Sequence, residues 1–258
     1  MHEVYCGKID AQRLTELEQA QIQCMPSSLV ELDASEISHI LKVKRHQVGD
    51  TIEVVDGEGV RFKLNITNTT PLSFQVLEVV HEVLTRRVVV VIPLLKGDRM
   101  IQAVENAVEL GATDIIFWQS DRSIAKWADE KTVRKSIEKM HNLVVKSSKQ
   151  SRRAYFPVIL GAFNNKKLFV QLDAITDKQI VVLHESATKH IGNCGSFELA
   201  DPEVVVLVVG PEGGITDGEL QDFQKLRAAV CKISSNVLRS ATAISAGLAV
   251  IYNLSKID

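Results

Sequence analysis

The sequence has few of the features that mark a metal site, a membrane segment or a disulfide-rich scaffold. Its four cysteines, Cys6, Cys24, Cys194 and Cys231, are scattered, with no CxxC pair and no His/Cys spacing of a zinc site. The N-terminus lacks the apolar core of a signal peptide, and no hydrophobic run is long enough to cross a bilayer. We therefore expect a cytoplasmic protein from a reducing compartment, with no metal and no membrane partner.

The sequence also has no excess of charge of either sign, since it contains 30 Lys and Arg and 32 Asp and Glu, which gives a net charge of −2. Overall electrostatics therefore do not indicate a nucleic-acid binder, and a polyanion would have to meet a local basic patch. Two such clusters exist, Lys42 to His46 and the group Lys146, Lys149, Arg152 and Arg153. Each cluster alone is typical of a solvent-exposed face. The presence of two clusters means that RNA stays among the candidate partners.

Residues 1–80 contain short apolar runs separated by turn residues. Thr51–Val55 and residues 60–66 flank Asp56-Gly57-Glu58-Gly59, which predicts a β-hairpin, and residues 74–80 supply a further strand. The turn lacks the third glycine and the following helix of a dinucleotide-binding motif. We expect a small β-barrel domain over residues 1–80.

Residues 86–258 alternate apolar runs with helical patterns, which predicts an α/β domain with a parallel sheet covered on both faces. The predicted strands are 88–95, 114–118, 180–183, Val204–Val209 and, as a candidate fifth, 228–233. The predicted helices are one capped by Asp98 and closed by Gly111, one over about 129–150, and one over 241–254.

The strand Val204–Val209 ends in a glycine-rich loop, Gly210-Pro211-Glu212-Gly213-Gly214. Thr216, with Glu219 three residues later, then forms the capping-box pattern that begins a helix. Ligands of open α/β sheets bind at the carboxyl ends of the strands. The loop is either a plain tight connection or a ligand-binding loop, and its three glycines around Pro and Glu favour the second.

Two more loops follow predicted strands at this edge, residues 184–186 (HES) and 234–242 (SSNVLRSAT). In a parallel sheet the three loops can converge on a pocket of backbone amides and carbonyls, which suits an adenosine-like ligand. No P-loop lysine follows the glycines, and no acidic residue stands about twenty residues after them. Triphosphate and classical NAD binding are therefore disfavoured.

The sequence resembles the RsmE family at ordered motifs along both predicted domains. LVVGPEGGIT at 207–216 and VLRSATA at 237–243 are similar to the two C-terminal signatures of that family. Other segments agree with the family in their order along the chain. In the first predicted domain they are His39 with Val43 and Arg45, GD at 49–50 and DGEG at 56–59. In the second they are KGDRM at 96–100, ELG at 109–111, DRS at 121–123, QS at 150–151 with Arg153, and HE at 184–185. RsmE enzymes are SPOUT-class methyltransferases that modify N3 of a uridine in 16S ribosomal RNA. Where the family commonly has Thr-Glu-Thr, this chain has Ser240-Ala241-Thr242.

The resemblance implies a fold and partners that periodicity does not predict. The N-terminal domain would be a PUA-like, RNA-binding β-barrel. The C-terminal SPOUT domain would contain a deep trefoil knot, with residues 234–242 threaded through a loop. The cofactor would be S-adenosyl-L-methionine, bound in that knot. The substrate would be 16S rRNA, expected in the assembled small ribosomal subunit, and the enzyme would be a homodimer with its site at the subunit interface.

The resemblance also implies roles for individual residues. Arg239 would stabilise the uridine anion, unless it pairs with Glu212 or a phosphate, and Glu185 or His184 would accept the N3 proton. The residues expected to bind the cofactor are Leu183, His184, Gly210, Pro211, Glu212, Gly213, Ile233, Val237, Leu238 and Thr242. The residues expected to bind the RNA backbone are Lys42, Arg45, Arg122, Arg152 and Arg153.

Other functions stay open at this stage. A catalytically divergent protein that only docks on ribosomal RNA would account for the carboxylate missing at Ala241, and predicts weak or absent cofactor binding. A methyltransferase with a different RNA target is a second alternative. A nucleotide-using enzyme acting on a small molecule is a third, and it predicts no salt-dependent binding of RNA.

Overall fold

The structure is a computed structural model that describes residues 4–19, 27–193 and 203–254. The chain divides into two compact units, Met1–Leu84 with Ser148–Phe156, and Thr85–Ser147 with Pro157–Asp258. The division at residues 80 and 86 stays a prediction from sequence. No sequence pattern indicated that residues 148–156 belong with the first unit.

In its described residues, the first unit contains two small sheets, two short α-helices, a 3₁₀-helix (Ser27–Leu29) and a π-helix (His39–Val43). Its elements are β1 (Tyr5–Cys6), β2 (Lys8–Ile9), α1 (Ala11–Gln19), β3 (Val30–Glu31), α2 (Ala34–Ser38), β4 (Thr51–Val55), β5 (Val60–Thr69) and β6 (Leu72–His81). The larger sheet has the order β1-β4-β5-β6, and β2 pairs with β3. The predicted hairpin is confirmed, because β4 and β5 pair antiparallel across the Asp56 turn. Phe62, Leu64 and Ile66 alternate along β5 and are fully buried, which gives this sheet its core face.

The second unit is organised around one parallel sheet. Its elements are β7 (Arg87–Pro93), α3 (Asp98–Glu109), β8 (Asp114–Gln119), α4 (Glu130–Gln150), β9 (Val158–Asn164), α5 (Asn165–Asp173), β10 (Lys178–Leu183), β11 (Val204–Val209), α6 (Asp217–Lys225), β12 (Ala229–Cys231) and α7 (Ser240–Leu254). The last residues of α4 belong to the first unit. The sheet has the order β12-β10-β11-β7-β8-β9, and every pair is parallel, as the sequence predicted.

Both faces of the parallel sheet are covered, because residues along β7 alternate between two hydrophobic clusters. Val88 and Val90 join the cluster that includes α3 and α7, whereas Val89 joins the cluster that includes α5 and α6. All three valines are fully buried. Burial of an aliphatic side chain contributes about 1.5–3 kcal/mol, so this continuous apolar strand is a major source of stability.

Two features of this unit differ from the sequence-based predictions. Strand β9 and helix α5 were not predicted, because β9 is an edge strand interrupted by Gly161, where the register with β8 shifts. The N-cap of α3 is Gly97, and Asp98 is its first helical residue instead of its cap. There Asp98 still favours the helix through the macrodipole.

Cys6 is a free thiol and Cys231 is disulfide-bonded. The state of Cys231 departs from the reduced thiols that we expect from the sequence, and Cys24 and Cys194 lie outside the described residues. Within the described ranges, no helix is long and apolar enough to cross a membrane.

Candidate functional site

Three loops meet where β10, β11 and β12 end. Leu183, the last residue of β10, lies in register with Val209 of β11 on one side and with Cys231 of β12 on the other. The loops that follow the three strands surround a cavity of about 290 Å³, which we call the loop cavity. The convergence expected for residues 184–186, 210–214 and 234–242 therefore occurs.

Most of the residues that we expected in the pocket lie on the wall of the loop cavity. The three candidate catalytic residues, His184, Glu185 and Arg239, all line it. Of the ten expected cofactor contacts, eight line it: Leu183, His184, Gly210, Pro211, Glu212, Ile233, Val237 and Leu238.

Gly213 and Thr242 do not line the loop cavity. Gly213 packs against the loop that follows β8, which we call the β8 loop and which contains Arg122. A Cβ added to Gly213 would lie 2.9 Å from Arg122 Cβ and 3.0 Å from the Arg122 carbonyl oxygen. Thr242 is exposed on α7, and its neighbour Ala243 lines the cavity instead. Successive residues along a helix differ in direction by about 100°, which turns Thr242 toward solvent when Ala243 faces the cavity.

Sequence reasoning missed one charged residue of the cavity wall, Lys232. The predicted strand 228–233 extended past it, whereas β12 ends at Cys231. Ligand-binding residues of parallel sheets follow the carboxyl ends of the strands. A predicted strand that ended at Cys231 would therefore have identified Lys232 as a candidate.

The glycine loop after β11 is a tight turn held by backbone groups. The Gly214 amide donates to the Pro211 carbonyl over 2.9 Å, and Gly214 has a φ of 75°, which favours glycine. A Cβ on Gly210 would lie 2.7 Å from Ile215 Cγ1, so only glycine fits there without displacement. The buried Ser240 hydroxyl donates to the Gly210 carbonyl over 2.8 Å and joins this loop to the start of α7.

Glu219 joins the same region to a fourth loop. The predicted capping box is present, with Thr216 as N-cap of α6 and Glu219 at its third position. Glu219 is 2% exposed, and its Oε2 accepts from the Thr216 amide over 2.8 Å. Its Oε1 accepts from the Asp121 amide, in the loop after β8, over 2.9 Å. In that loop, Arg122 Nη1 donates to the Gly213 carbonyl over 3.2 Å.

Arg239 contributes an unneutralised positive charge to the loop cavity. Its side chain is exposed, and it has no hydrogen-bond or ion-pair partner in the part of the chain that the structure describes. The alternative pairing of Arg239 with Glu212 is not observed, because Glu212 Oε1 instead accepts from Arg99 Nη1 over 2.8 Å. The guanidinium therefore remains available to an anion.

The two candidate bases have different surroundings. His184 Nδ1 accepts from the Ser186 amide over 3.3 Å and lies 2.8 Å from the Ser186 hydroxyl oxygen. An amide can only donate, so neutral His184 carries its proton on Nε2, which lies 4.0 Å from Glu185 Oε2. The His184 side chain is 11% exposed and that of Glu185 is 54% exposed. Glu185 is thus the more accessible acceptor.

The residues expected to bind RNA fall into two groups. Arg122 lies beside Gly213, near the loop cavity, and Lys42, Arg45, Arg152 and Arg153 belong to the first unit. Arg152 is already engaged, because its Nη2 donates to both carboxylate oxygens of Glu53 over 2.9 Å. Among residues 4–19, 27–193 and 203–254, no group of three or more His, Cys, Asp or Glu could hold a metal ion.

Comparison with known proteins places the chain in a family. An RNA methyltransferase domain model matches residues 82–252, and an RNA methyltransferase PUA domain model matches residues 32–79. Ribosomal RNA small subunit methyltransferase E of Mycobacterium bovis is 30% identical over 85% of this chain and 84% of its own length.

Two solved structures are similar in fold. One, a crystal structure of a hypothetical protein, has a TM-score of 0.82 at 23% identity over 99% of each chain. The other is ribosomal RNA small subunit methyltransferase E from Neisseria gonorrhoeae, solved bound to S-adenosyl methionine. It has a TM-score of 0.72 at 21% identity over 98% of each chain. The family models and the identity to the mycobacterial relative show that this chain belongs to the RsmE family of RNA methyltransferases, with an N-terminal PUA domain.

Proposed function

We propose that this protein transfers a methyl group from S-adenosyl-L-methionine to N3 of a uridine in 16S ribosomal RNA, in the assembled small subunit. The observation that carries the proposal is the loop cavity at three adjacent strand ends. Arg239 lines this cavity and has no side-chain partner among the residues that the structure describes. Membership of the RsmE family supports methylation of small-subunit ribosomal RNA, since the relatives are named ribosomal RNA small subunit methyltransferase E.

The residues present fit the cofactor. The cavity of about 290 Å³ lies near the lower end of the usual range for ligand sites, about 300–1,000 Å³. Leu183, Ile233 and Leu238 would form apolar walls for the adenine ring. Backbone groups of residues 210–212 and 232–240 would supply hydrogen bonds to its polar edges and to the ribose. When bound, the cofactor supplies an electrophilic methyl group on a sulfonium.

Arg239 would stabilise the reacting base. Uridine N3 is protonated at neutral pH, and ionisation of a group whose pKa lies two units above the ambient pH costs about 2.7 kcal/mol. A guanidinium stays charged at every physiological pH, so Arg239 can offset that cost without a proton transfer of its own. The base must leave any stacked helix to reach the cavity, so base flipping is expected.

Glu185 is our choice for the group that accepts the N3 proton. It lines the cavity and is more exposed than His184. His184 would act as a positioning residue, because its Nε2 lies 4.0 Å from the Glu185 carboxylate and its Nδ1 is held by Ser186.

We further propose the trefoil knot, the homodimer and a cytoplasmic location that the resemblance implies. Two hydrogen bonds near the ends of the segment 234–242 join it to other loops of the site: the Lys232 amide donates to the Lys189 carbonyl over 2.8 Å, and the Ser240 hydroxyl donates to the Gly210 carbonyl. A second subunit over the site would cover Val237, whose surface is 80% exposed. Lys42, Arg45, Arg122 and Arg153 would contact the RNA backbone, and Arg152 would do so only by leaving Glu53.

The direct test measures transfer of labelled methyl from S-adenosyl-L-methionine to 16S RNA, offered naked and in small subunits from cells that lack the enzyme. We expect label at a uridine N3, with assembled subunits as the better substrate. A folded protein that binds the cofactor but labels neither form would point to another RNA target. Failure to bind the cofactor would point to a protein that only docks on ribosomal RNA.

A further inference from the structure

Two further cavities lie at the carboxyl ends of β8 and β9, which share one sheet edge with the loop cavity because all six strands are parallel. Their volumes are about 170 and 350 Å³. Gln119 and Asn164, register partners at the two strand ends, line both cavities. We call these adjoining spaces the paired cavities.

The two amide side chains at their junction offer donors. Gln119 Oε1 accepts from the Trp127 amide over 3.2 Å, and Asn164 Oδ1 caps α5 by accepting from the Lys167 amide over 3.1 Å. Both amide oxygens are therefore used by the fold. Neither NH₂ group has an acceptor within the described residues, so both can donate to a ligand.

Charge in the paired cavities favours an anion. The smaller cavity is lined by Lys167, and the larger by Lys126 and Lys166. None of these ammonium groups has an ion-pair partner among the residues described. The larger cavity contains one carboxylate, Asp121, whose Oδ1 accepts from Asn165 Nδ2 over 2.9 Å. Three lysines against one aspartate leave a net positive site.

The smaller cavity also offers aromatic surface. Trp127 and Phe163 line it, and Trp127 is half-buried with its ring held against Phe117 at a centroid distance of 5.4 Å. A nucleobase stacks on rings of this kind, while amide NH₂ groups bind the carbonyl and ring-nitrogen acceptors at its edge. Aromatic rings beside paired donors and ammonium groups match a nucleotide in chemistry.

We propose that the paired cavities bind one nucleotide of the same substrate RNA, in the segment that flanks the flipped uridine, with its base against Trp127 and Phe163 and its phosphate toward the lysines. This inference rests on the proposed function, since it assigns a second subsite to the same RNA. Gln119 and Asn164 would select a base edge with acceptors and so contribute to the choice of target sequence.

The decisive variant is Gln119→Glu combined with Asn164→Asp. Both changes keep the oxygen that the fold uses and replace the free NH₂ donor by a carboxylate oxygen. Aspartate is as good an N-cap as asparagine, so α5 is retained. The matched control is Gln102→Glu combined with Gln171→Glu, which adds the same charge at two exposed positions outside these cavities.

With small subunits as substrate, we expect the variant to raise KM by about tenfold or more, because two amide donors to the base are lost and two carboxylates are placed where the RNA phosphate binds. Affinity for S-adenosyl-L-methionine and the melting temperature should match those of the control. A KM equal to that of the control, in an active enzyme, would overturn the subsite and leave the proposed function intact.

A second readout does not depend on methyl transfer. The chain has two tryptophans, and Trp118 is fully buried, so quenching of fluorescence by 16S RNA should report Trp127. We expect quenching in the wild type and its loss in Trp127→Phe. Equal quenching in both proteins, or none in a wild type that binds the RNA, would exclude a base at Trp127 even if no methyl transfer were found.

Discussion

The segment 148–156 of the first unit and the segment 232–240 of the second differ in whether their arginine is paired with a carboxylate. In the first segment, Arg152 binds Glu53 through both carboxylate oxygens, and Arg61 donates to Glu53 and to the Arg152 carbonyl. In the second segment, Arg239 lines a cavity and has no partner among the described residues. An arginine with an internal counter-ion stabilises the fold, whereas one left unpaired at a cavity is available to a ligand. The two regions therefore make separable contributions.

The largest expected effect is on methyl transfer, and it tests the role of Arg239. Arg239→Ala should lower methyl transfer to small subunits by about 100-fold or more, since removing one preorganised charge-stabilising group typically costs about 2.7–4 kcal/mol of transition-state stabilisation. Affinity for S-adenosyl-L-methionine and the melting temperature should stay near wild type.

Arg239→Lys provides the control for this change, because it keeps the charge but loses the planar fork. It should recover part of the activity. Full activity of Arg239→Ala would show that the unpaired guanidinium does not act on the substrate.

The second prediction asks whether a buried carboxylate beside the site, held by hydrogen bonds and not by a cation, contributes to stability. Glu219→Ala leaves the amides of Thr216 and Asp121 without their acceptor, so the free energy of unfolding should fall by about 2–4 kcal/mol. Denaturant unfolding measures this. Asp222→Ala on the same helix removes only an exposed pair with Lys225 and should cost less than about 0.5 kcal/mol. Equal losses in the two variants would refute the role of Glu219.

The third prediction concerns backbone contact between the glycine loop and the β8 loop. Gly213→Ala would force its Cβ against the Arg122 carbonyl oxygen, so one loop must move. We expect a loss of about 1–2 kcal/mol in stability and a cofactor affinity about tenfold weaker. Gly218→Ala, where the nearest atom to the new Cβ is 4.0 Å away, should raise stability by about 0.4–1 kcal/mol. Wild-type cofactor binding in Gly213→Ala would show that this packing does not shape the pocket.

The smallest expected effect is on stability, and it tests the ion pair between Glu53 and Arg152. Burial by itself raises the pKa of Glu53, but hydrogen bonds and charge from Arg152, and then from Arg61, outweigh it and hold that pKa below its ordinary value. Glu53 therefore stabilises the fold above the pKa of an unfolded glutamate, and this contribution is lost as the pH falls through its lower folded pKa.

Glu53→Gln should lower the free energy of unfolding by about 1 kcal/mol at pH 7. The difference should begin to shrink as the pH falls below about 4.3, the ordinary pKa of a glutamate, and should vanish only below the lower pKa of Glu53 in the folded protein. Urea unfolding at several pH values measures it. A difference that grew as the pH fell would contradict the sign of this pKa shift. Methyl transfer at pH 7 should remain close to wild type.

The sequence predicted these two arginines alike, as contacts for RNA or substrate. Both follow helical or strand patterns in polar loops, and nothing local separates them. The partner of Arg152 is Glu53, 99 positions away, and the residue that keeps Glu212 from Arg239 is Arg99, 113 positions from Glu212. Pairing at that separation depends on how the strands come together, which local patterns do not contain.

Local chemistry predicted other parts of the site well. The capping box at Thr216 and Glu219 is present as expected, because a cap depends only on residues three positions apart. The second contact of Glu219, to the Asp121 amide, was not predicted, since it joins two loops across the sheet edge. Likewise Ala243 replaces Thr242 at the cavity because the orientation of α7 decides which side faces inward.

The sequence by itself determined the parallel sheet, its two covered faces and the loops at which a cofactor site would form, because apolar periodicity, glycine and capping residues act over a few positions. The ordered motifs also determined the family. Only the tertiary structure decided that β9 extends the sheet and that residues 148–156 belong with the first unit. It also decided which cations are neutralised and which remain open to RNA, because the contacts that settle those questions join residues far apart in the chain and form only when strands and loops pack.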